Sequence, residues 1–479
     1  ANAAPTLLRG DRPRLTHGVQ SGDVTADRAV VWARADRPAR MLVDVSTRPD
    51  FARARTVRGP LLTPDTDLTG KTFLTGLPAN RQIHYRIRLD GDGPLSAPTE
   101  GGFRTAARGR RDLRFVWSGD LAGQGWGINP ELGGYRIFKT MAELEPDFFL
   151  CSGDVVYADG PLSETVALPD GRTWRNITTP EKSKVAETLA EYRGQFRYNL
   201  LDGNLRAFNA GVPWVYQWDD HEVTNNWYPG EILDDARYTE KRVDVLAARA
   251  RQAAFEYLPV GGRRIHRKIA YGPLLDLFVL DMRTHKDPNG PNTGTSGPGL
   301  LGAEQLAWLK RELRASSATW KVIAADLPLG LIVPDGTAQE GIAQGDGGAP
   351  LGREREIADL LSHAKRHRVA GLVWLTADVH YTAAHFYDPA KAAFSDFDPF
   401  WEFVAGPLNA GAFGPNTLEN TFGPQLRFAK TPPAANTSPA DGFQFFGEVS
   451  IDAHSAVLTV RLRDLDGTVL YTVDLDPAR

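Results

Sequence analysis

The sequence contains almost no cysteine and only a slight excess of negative charge. Cys151 is the one cysteine among 479 residues, which excludes an intramolecular disulfide and any zinc site built from several cysteines. The net charge of −4 lacks the basic excess of a general nucleic-acid-binding protein, so no specific nucleic-acid-binding role is predicted. No run of about 18 or more apolar residues is present, so we predict no transmembrane segment.

The sequence also lacks internal repeats, low-complexity tracts and a recognisable leader. It begins ANAAPTLLRGDRP, without an initiator methionine or a charged and then apolar segment. A cleaved signal peptide and an artificial start both explain this opening. We expect an exported protein, periplasmic or extracellular, whose signal peptide is absent from this mature-looking chain.

The length and the strand pattern predict two domains joined by a short linker. Residues 1–105 contain short strands separated by turns, and in IHYRIRL at 83–89 apolar and polar residues alternate as in half-buried antiparallel strands. This region is predicted to be a small all-β sandwich. The polar, arginine-rich stretch AARGRRD at 106–112 is predicted to be the linker, and residues 113–479 a larger catalytic domain.

In the larger region, apolar runs alternate with helix-like segments at 134–145 and 301–316. The runs are too continuous for strands with one exposed face, which favours strands buried between layers. Five of them end in charged residues or histidine: RFVWSGD at Asp120, PDFFLCSGD at Asp154, PWVYQWDDH at Asp220 and His221, LFVLDMR at Asp281 and Arg283, and GLVWLTADVH at Asp378 and His380. Open α/β sheets bind ligands at the carboxyl ends of their strands, so a functional site is expected there.

Several aspartates at one sheet edge predict a metal site. A single aspartate after a strand more often caps the next turn, but four of them would raise one another's pKa unless cations neutralise them. Oxygen and imidazole ligands without thiolate favour iron, manganese, calcium or zinc. The number of carboxylates favours two ions that share a bridging carboxylate.

Four ordered motifs resemble those of a known family. GD at 119–120, GDxxY at 153–157, DDHE at 219–222 and ADVH at 377–380 resemble the series of calcineurin-like metallophosphoesterases. The variant with DDHE and DVH, the arginine after a fourth strand and the N-terminal stretch GVQSGDVTADRAVVWAR at 18–34 resemble the alkaline phosphatase D (PhoD-like) family.

The resemblance implies a set of ligands for each of two metal sites. Asp154 would bridge the metals, with Asp120, Tyr157 and His380 completing the first site and Asp220 and Asp378 the second. The resemblance also implies ferric iron in the first site, called the tyrosine site below because it contains Tyr157. Purple acid phosphatases have asparagine and histidine in place of Asp220 and Asp378, and the two carboxylates favour Ca²⁺ in the second site, with Mg²⁺, Mn²⁺ or Zn²⁺ as alternatives.

One departure from the family concerns the first site. Many PhoD-like proteins have a cysteine ligand after the first strand, whereas this sequence has SGDLAGQG, with Asp120 in or next to that place. Cys151 lies within the second strand and is predicted to be a core residue. The first site therefore resembles that of purple acid phosphatases.

Four further residues are candidates for contact with substrate. His221 would bind a phosphoryl oxygen or protonate the leaving group, or else only orient Asp220. Arg283 would hold two phosphate oxygens, or else form a salt bridge with Asp281. Asn129 and Asn225 are candidate substrate contacts, with a turn role as the alternative for Asn129 and helix capping for Asn225.

The fold implied by both the pattern and the resemblance is a four-layer αββα metallophosphoesterase sandwich, of mixed α+β and α/β class, preceded by the small all-β sandwich. VLTVRLRDLDGTVLYTVDL at 457–475 is predicted to be a hairpin that completes a second sheet. The Gly-rich loops around residues 329–352 and 405–416 are either a lid or rim of the site or plain surface connections.

The leading functional hypothesis is a metal-dependent phosphoesterase in which a metal-bridging hydroxide attacks a small-molecule or lipid phosphoester. Phosphodiesters are the expected substrates, with some activity on phosphomonoesters. The alternatives are a strict phosphomonoesterase that resembles purple acid phosphatases, and a non-catalytic surface protein with a structural metal site.

Overall fold

The structure is a computed structural model that describes residues 12–296 and 299–478. Most of the opening stretch ANAAPTLLRGDRP, and with it the start of the predicted N-terminal domain, lies outside the described residues. Within the described part, no helix has both the length and the apolar composition needed to cross a bilayer.

In the described residues, strands outnumber helices. The strands are β1 (Leu15–Gly22), β2 (Arg28–Ala35), β3 (Ala39–Ser46), β4 (Arg55–Leu62), β5 (Thr69–Thr75), β6 (Gln82–Asp90), β7 (Thr99–Arg104), β8 (Leu113–Ser118), β9 (Phe148–Ser152), β10 (Thr165–Ala167), β11 (Thr173–Arg175), β12 (Trp214–Gln217), β13 (Arg267–Ala270), β14 (Leu275–Val279), β15 (Trp320–Ala324), β16 (Pro334–Asp335), β17 (Ala338–Gln339), β18 (Leu372–Thr376), β19 (Thr382–Tyr387), β20 (Phe400–Val404), β21 (Pro424–Lys430), β22 (Phe445–Ile451), β23 (Leu458–Asp464) and β24 (Val469–Leu475). The α-helices are α1 (Arg136–Ala142), α2 (Leu189–Asn199), α3 (Gly203–Gly211), α4 (Val243–Tyr257), α5 (Ala303–Ala315) and α6 (Glu354–Arg366). Short 3-10 helices lie at Pro64–Thr66, Pro130–Leu132, Pro180–Ser183 and Pro439–Asp441.

The N-terminal region is an all-β sandwich, as the sequence predicts. A four-stranded sheet in the order β4-β3-β6-β7 packs against β1, β2 and β5. In β6 the apolar residues Ile83, Tyr85, Ile87 and Leu89 are buried, while the polar residues between them are more exposed, which is the alternation read from the sequence.

Two larger sheets form the rest of the fold. The first has the order β24-β23-β22-β8-β9-β12-β1-β2-β5, so strands of the N-terminal sandwich continue the sheet of the larger region through the parallel pairing of Gly22 with Trp214. The second has the order β13-β14-β15-β18-β20-β19-β21. In each sheet the central strands are parallel, so their carboxyl ends lie at one edge.

Apolar clusters fill the spaces between four layers. Helices α1 to α4 pack on one face of the first sheet, the two sheets pack against each other, and α5 and α6 cover the second sheet. Alternate residues of one strand serve different clusters: Phe148 faces the second sheet, and Phe149 faces the helices. The four-layer αββα fold is therefore confirmed.

The predicted hairpin near the carboxyl end is formed by β23 and β24. The prediction that it completes a second sheet is wrong, because β22 joins it to β8, in the sheet that carries the first three motifs. Cys151 is buried between the first sheet and its helices, as expected of a core residue. Residues 105–112 form neither helix nor strand, and the exact domain bounds stay a prediction.

Candidate metal centre

The chemical groups of the site follow parallel strands of both sheets. Asp120, Asp154 and the DDHE stretch follow β8, β9 and β12 of the first sheet, while Asp281, Asp326 and Asp378 follow β14, β15 and β18 of the second. Because the two sheets face each other, these strand ends converge from opposite sides of the layer between them.

Four candidate ligands have left-handed backbone conformations. The φ angles are 68° at Asp120, 51° at Asp154, 65° at Asp378 and 60° at His380. A side chain at a positive φ costs roughly 1–2 kcal/mol, and such residues cluster at functional sites. Each of these turns redirects the chain directly after a strand, which aims the side chain across the sheet edge.

Three groups of side chains bring possible ligand atoms within 4.8 Å of one another. They are Asp120 with Asp154 and His380, Asp154 with Asp220 and His221, and Asp219 with Asp220 and Asp378. Asp154 belongs to the first two groups and Asp220 to the last two, so the groups form a continuous row. Asp154 thus lies where one carboxylate can serve two cations.

Asp120 provides a direct test of whether these residues fit a metal ion. It is fully buried, and neither of its carboxylate oxygens has a hydrogen-bond partner among the described residues. Burial, reinforced by the negative charge of Asp378, raises its pKa well above the usual range. A cation would satisfy both oxygens at once, and oxygen and imidazole donors suit iron, manganese, calcium or zinc. The donor set therefore fits a metal ion.

Tyr157 and His380 lie beside Asp120, as predicted for the first site. The Tyr157 hydroxyl is 2.8 Å from His380 Nε2, and His380 Nδ1 donates to the Gly411 carbonyl. Burial lowers the pKa of His380 to about 4, so the imidazole is neutral and its Nε2 lone pair faces the carboxylates. The Tyr157 ring is held between the backbone of Gly123 and the imidazole of His221, whose centroid is 4.2 Å away.

The pKa values of Asp378 and Asp220, in the second half of the row, are shifted in opposite directions. Burial raises the pKa of Asp378 to about 8 despite the nearby Arg283. Burial would also raise the pKa of Asp220, but the charges of His221 and Arg283 outweigh it and lower that pKa. Burial likewise raises the pKa of Asp154 well above its usual value. Additional positive charge would stabilise the ionised form of this row.

His221 is oriented by a carboxylate that the sequence reading did not single out. Its Nδ1 lies 2.8 Å from Asp159 Oδ1, and its Nε2 lies 3.9 Å from Asp220 Oδ1. Burial would lower the pKa of His221, but Asp159, Asp220 and Asp154 together hold it well above the usual value. Nε2 faces the row of candidate ligands.

Arg283 does not face an open position for phosphate, and this corrects the prediction for it. The guanidinium is fully buried and forms ion pairs with Asp219, Asp326 and Glu340. The alternative of a side-chain salt bridge with Asp281 is not formed either, because Asp281 accepts hydrogen bonds from the Arg283 backbone N–H and from Trp218 Nε1. Arg283 thus supports the site from within the protein.

The two asparagines differ in their surroundings. Asn129 is buried, and its Oδ1 caps the 3-10 helix at Pro130–Leu132 by accepting from Glu131 N–H, so the structure gives it the turn role instead of a substrate contact. Asn225 donates its backbone N–H to Asp159 Oδ2, the carboxylate whose Oδ1 contacts His221, and it is exposed. A substrate contact at Asn225 stays a prediction.

Comparison with known families matches nearly the whole chain. The model of the PhoD-like phosphatase matches residues 115–462, and the model of the PhoD-like phosphatase N-terminal domain matches residues 2–107. The chain belongs to the PhoD-like phosphatase family. It is therefore a phosphoric ester hydrolase, and its Asp and His clusters agree with the metal dependence of such an enzyme.

Relatives of this PhoD-like phosphatase include a bacterial alkaline phosphatase and two solved structures. "Alkaline phosphatase D" of Bacillus subtilis (strain 168) is 28% identical over 452 residues, which cover 88% of this chain and 73% of the relative. The solved structure of PhoD is similar with a TM-score of 0.71 at 22% identity, over 99% of this chain and 90% of that one. The purple acid phosphatase PPD1 of yellow lupin (Lupinus luteus) seeds has a TM-score of 0.60 at 14% identity, over 98% of this chain and 75% of that one. The last two likenesses establish the fold.

Three buried acidic residues at the candidate site of this PhoD-like phosphatase were missed in the sequence. Asp159 follows the GDxxY motif by two residues, and Asp326 follows the apolar run of β15, so a strand-end search extended by a few residues would have found both. Glu340 lies in a Gly-rich loop without a strand-end pattern, and no sequence signal marks it.

Proposed function

We propose that this PhoD-like phosphatase hydrolyses phosphodiesters, with weaker activity on phosphomonoesters, and that two metal ions share Asp154. The observation that carries the proposal is the membership of Asp154 in two adjoining ligand groups. The remaining ligands would be Asp120, Tyr157 and His380 in the first site and Asp220 and Asp378 in the second. His221 also lies in one of these groups, but its Nδ1 is bound to Asp159, whose charge raises the pKa of His221 and favours an acid that contacts substrate over a metal ligand.

The donor types support a trivalent ion in the first site and a hard divalent ion in the second. A phenol beside carboxylate and imidazole suits Fe³⁺, and a site of carboxylates alone suits Ca²⁺, with Mg²⁺, Mn²⁺ or Zn²⁺ as alternatives. When bound, the two cations would lower the pKa of water for attack on phosphorus and neutralise charge on the phosphoryl oxygens.

The residues of the chain itself account for positioning and proton transfer. The negative charge of Asp159 raises the pKa of His221 and favours the imidazolium, which donates from Nδ1 to Asp159 and has a second proton, at Nε2, to give to the leaving oxygen as the phosphorus–oxygen bond breaks. Asp159 Oδ2 also accepts from Asn225 N–H, which fixes the start of the loop after the DDHE motif. The acid is thereby held in one orientation before substrate arrives.

Charge balance favours diesters over monoesters. Arg283 and Lys286 are buried in ion pairs with carboxylates, so neither guanidinium nor ammonium is free to bind phosphate oxygens. A monoester dianion would rely on the metal ions and His221 alone, while a diester carries one negative charge.

Hydrolysis of a chromogenic phosphodiester and of its monoester, on protein purified without chelator, tests the proposal. We expect a higher kcat/KM for the diester, loss of activity after exhaustive chelation and recovery when metal is returned. A strict preference for the monoester would overturn the diester proposal, and full activity in chelated, metal-free protein would overturn the metal-dependent mechanism.

Export to the periplasm or to the outside of the cell stays a prediction. Fractionation of the producing cells checks it, with activity expected outside the cytoplasm. Family membership speaks against the non-catalytic alternative, because the match covers the catalytic region as well as the N-terminal domain.

A further inference from the structure

The hairpin β16–β17 and the residue that follows it reach from the surface to the second half of the metal centre. Glu340 is almost fully buried and forms ion pairs with both Arg283 and Lys286, which are themselves buried. The loop at 329–352, for which the sequence left a lid, a rim or a plain surface connection open, thus places a carboxylate deep in the protein.

This segment is held firmly in place. The buried Arg353 donates from one terminal nitrogen to the carbonyls of Gln339, Glu340 and Gly341, at 2.9, 2.8 and 3.1 Å. At the other end of the hairpin, Asp335 accepts from the side-chain amides of Asn226 and Asn289, at 3.1 and 2.9 Å. These five hydrogen bonds, two of them buried, favour a fixed wall of the site over a mobile lid.

Arg283 lies between two sets of acids. Glu340 binds its Nη1, Asp219 its Nη2 and Asp326 its Nε, whereas Asp378 Oδ1 is 3.7 Å from Nη2. A guanidinium keeps its charge in a protein, so it attracts whichever carboxylates are closest. A cation at Asp378 would have to compete with Arg283 for that carboxylate.

We propose that Glu340 is a positioning residue for the second metal site, because it holds Arg283 away from Asp378 and leaves that carboxylate for the metal. The proposal rests on Asp220 and Asp378 being the second-site ligands. Lys286 weakens the hold of Glu340 on Arg283, because it also forms an ion pair with Glu340.

The geometry sets the direction and the size of the effect. Without the charge of Glu340, Nη1 loses its ion pair and only Asp219 and Asp326 still hold the guanidinium back from Asp378. A shift of Nη2 from 3.7 Å to an ordinary ion-pair distance of about 2.8 Å from Asp378 would, at an effective dielectric constant of about 20, be worth about tenfold in affinity. Glu340→Gln should therefore weaken the second cation about tenfold. Lys286→Met should leave that affinity unchanged or raise it, because Glu340 then binds Arg283 alone.

Binding of Mn²⁺, followed by calorimetry and electron paramagnetic resonance on the full chain after weakly bound metal has been dialysed away, measures this directly. Asp346→Asn is the matched control, since it removes an exposed carboxylate of the same loop that accepts from Gly348 N–H. Glu340→Asp keeps the charge and should recover most of the affinity that Glu340→Gln loses. Metal in the tyrosine site should be unchanged in all of these variants.

Glu340→Gln is expected to lower the Mn²⁺ affinity, and Lys286→Met to leave it unchanged or raise it. This difference distinguishes a positioning role of Glu340 from general support of the fold. If Glu340→Gln and Lys286→Met weaken Mn²⁺ binding equally, or if Glu340→Gln binds Mn²⁺ as the control does, the proposal is wrong. If Glu340→Gln does not fold, weaker binding by Lys286→Met alone overturns it, and unchanged or tighter binding supports it.

Failure of the ligand assignment has a different result. Asp378→Asn should abolish the second Mn²⁺ site outright. If Asp378→Asn binds Mn²⁺ normally, the proposed function loses its second site; if it does not bind and Glu340→Gln binds normally, only the positioning role of Glu340 is overturned.

Discussion

Replacement of Gly406 by alanine should displace a metal ligand without altering any charge. Gly406 follows β20, and a Cβ atom there would lie 2.2 Å from Asp120 Oδ2. Because Cβ atoms essentially never come within 3.0 Å of such a neighbour, the carboxylate must move by about 0.8 Å. Metal–ligand distances in proteins hold to within about 0.2 Å, so this displacement is several times what the first site tolerates.

We expect Gly406→Ala to lower the affinity of the first site by at least about tenfold, since Asp120 has no other hydrogen-bond partner in the described structure to hold it in place. Gly406 does not have a positive φ, so alanine adds no backbone strain of its own. Gly211→Ala is the control, because a Cβ atom at Gly211 meets nothing within 4 Å.

Metal content after dialysis against a competing chelator, measured together with kcat, provides the assay. Gly406→Ala should lose metal from the first site and most of its turnover, while Gly211→Ala should match the unaltered protein. Equal metal content and equal kcat in the two variants would refute the reasoning, because it would mean that Asp120 binds no metal.

Two further predictions concern an acid–base pair and a buried pair of carboxylates. Asp159→Asn should reduce kcat about 10²-fold with the metal content unchanged, since His221 loses the carboxylate that keeps it protonated and oriented; a kcat within twofold of the unaltered protein would contradict this. Burial and the neighbouring Glu419 raise the pKa of Glu354 from 4.5 to about 8. Between these two pH values the unfolded chain has lost the proton of Glu354 while the folded protein keeps it. The free energy of unfolding therefore falls as the pH rises from 4.5 to about 8. Glu354→Gln should remove that loss and gain about 3–5 kcal/mol relative to the unaltered protein between pH 5 and pH 9 in urea unfolding, and parallel pH profiles of the two proteins would show that Glu354 does not titrate in this way.

The layers of the fold and the edge that carries the site were predictable because they depend on local pattern. The alternation in β6 and the continuous apolar runs of β9 and β18 reflect burial on one or both faces, and a strand-end aspartate must lie at the edge where its strand stops. The positions of Asp120, Asp154 and His380 follow from these runs.

Pairing between distant elements was not predictable in the same way. The alternation in β23 and β24 shows that they form a hairpin, but the sheet that the hairpin joins depends on β22 and β8, which are far apart in sequence. The residue pattern of a strand predicts which of its faces is buried, but it does not predict which other strand pairs with it.

The roles of individual charged residues depended on contacts between loops. His221 and Asp159 are separated by 62 residues, and Arg283 and Glu340 by 57. The position of Arg283 directly after a strand predicts the correct edge of the sheet, yet only the folded loop around Glu340 reveals that the guanidinium is enclosed by carboxylates. Burial of a charge at a sheet edge is decided by the chain that covers it.

The metal content of Asp154→Asn, compared with that of Asp120→Asn, tests most directly whether one carboxylate serves two cations. The unaltered protein should hold about two metal ions per chain, Asp120→Asn should lose the ion of the tyrosine site alone, and Asp154→Asn should lose both. Retention of both ions by Asp154→Asn, or loss of the same single ion in the two variants, would contradict a shared carboxylate at the centre of the site.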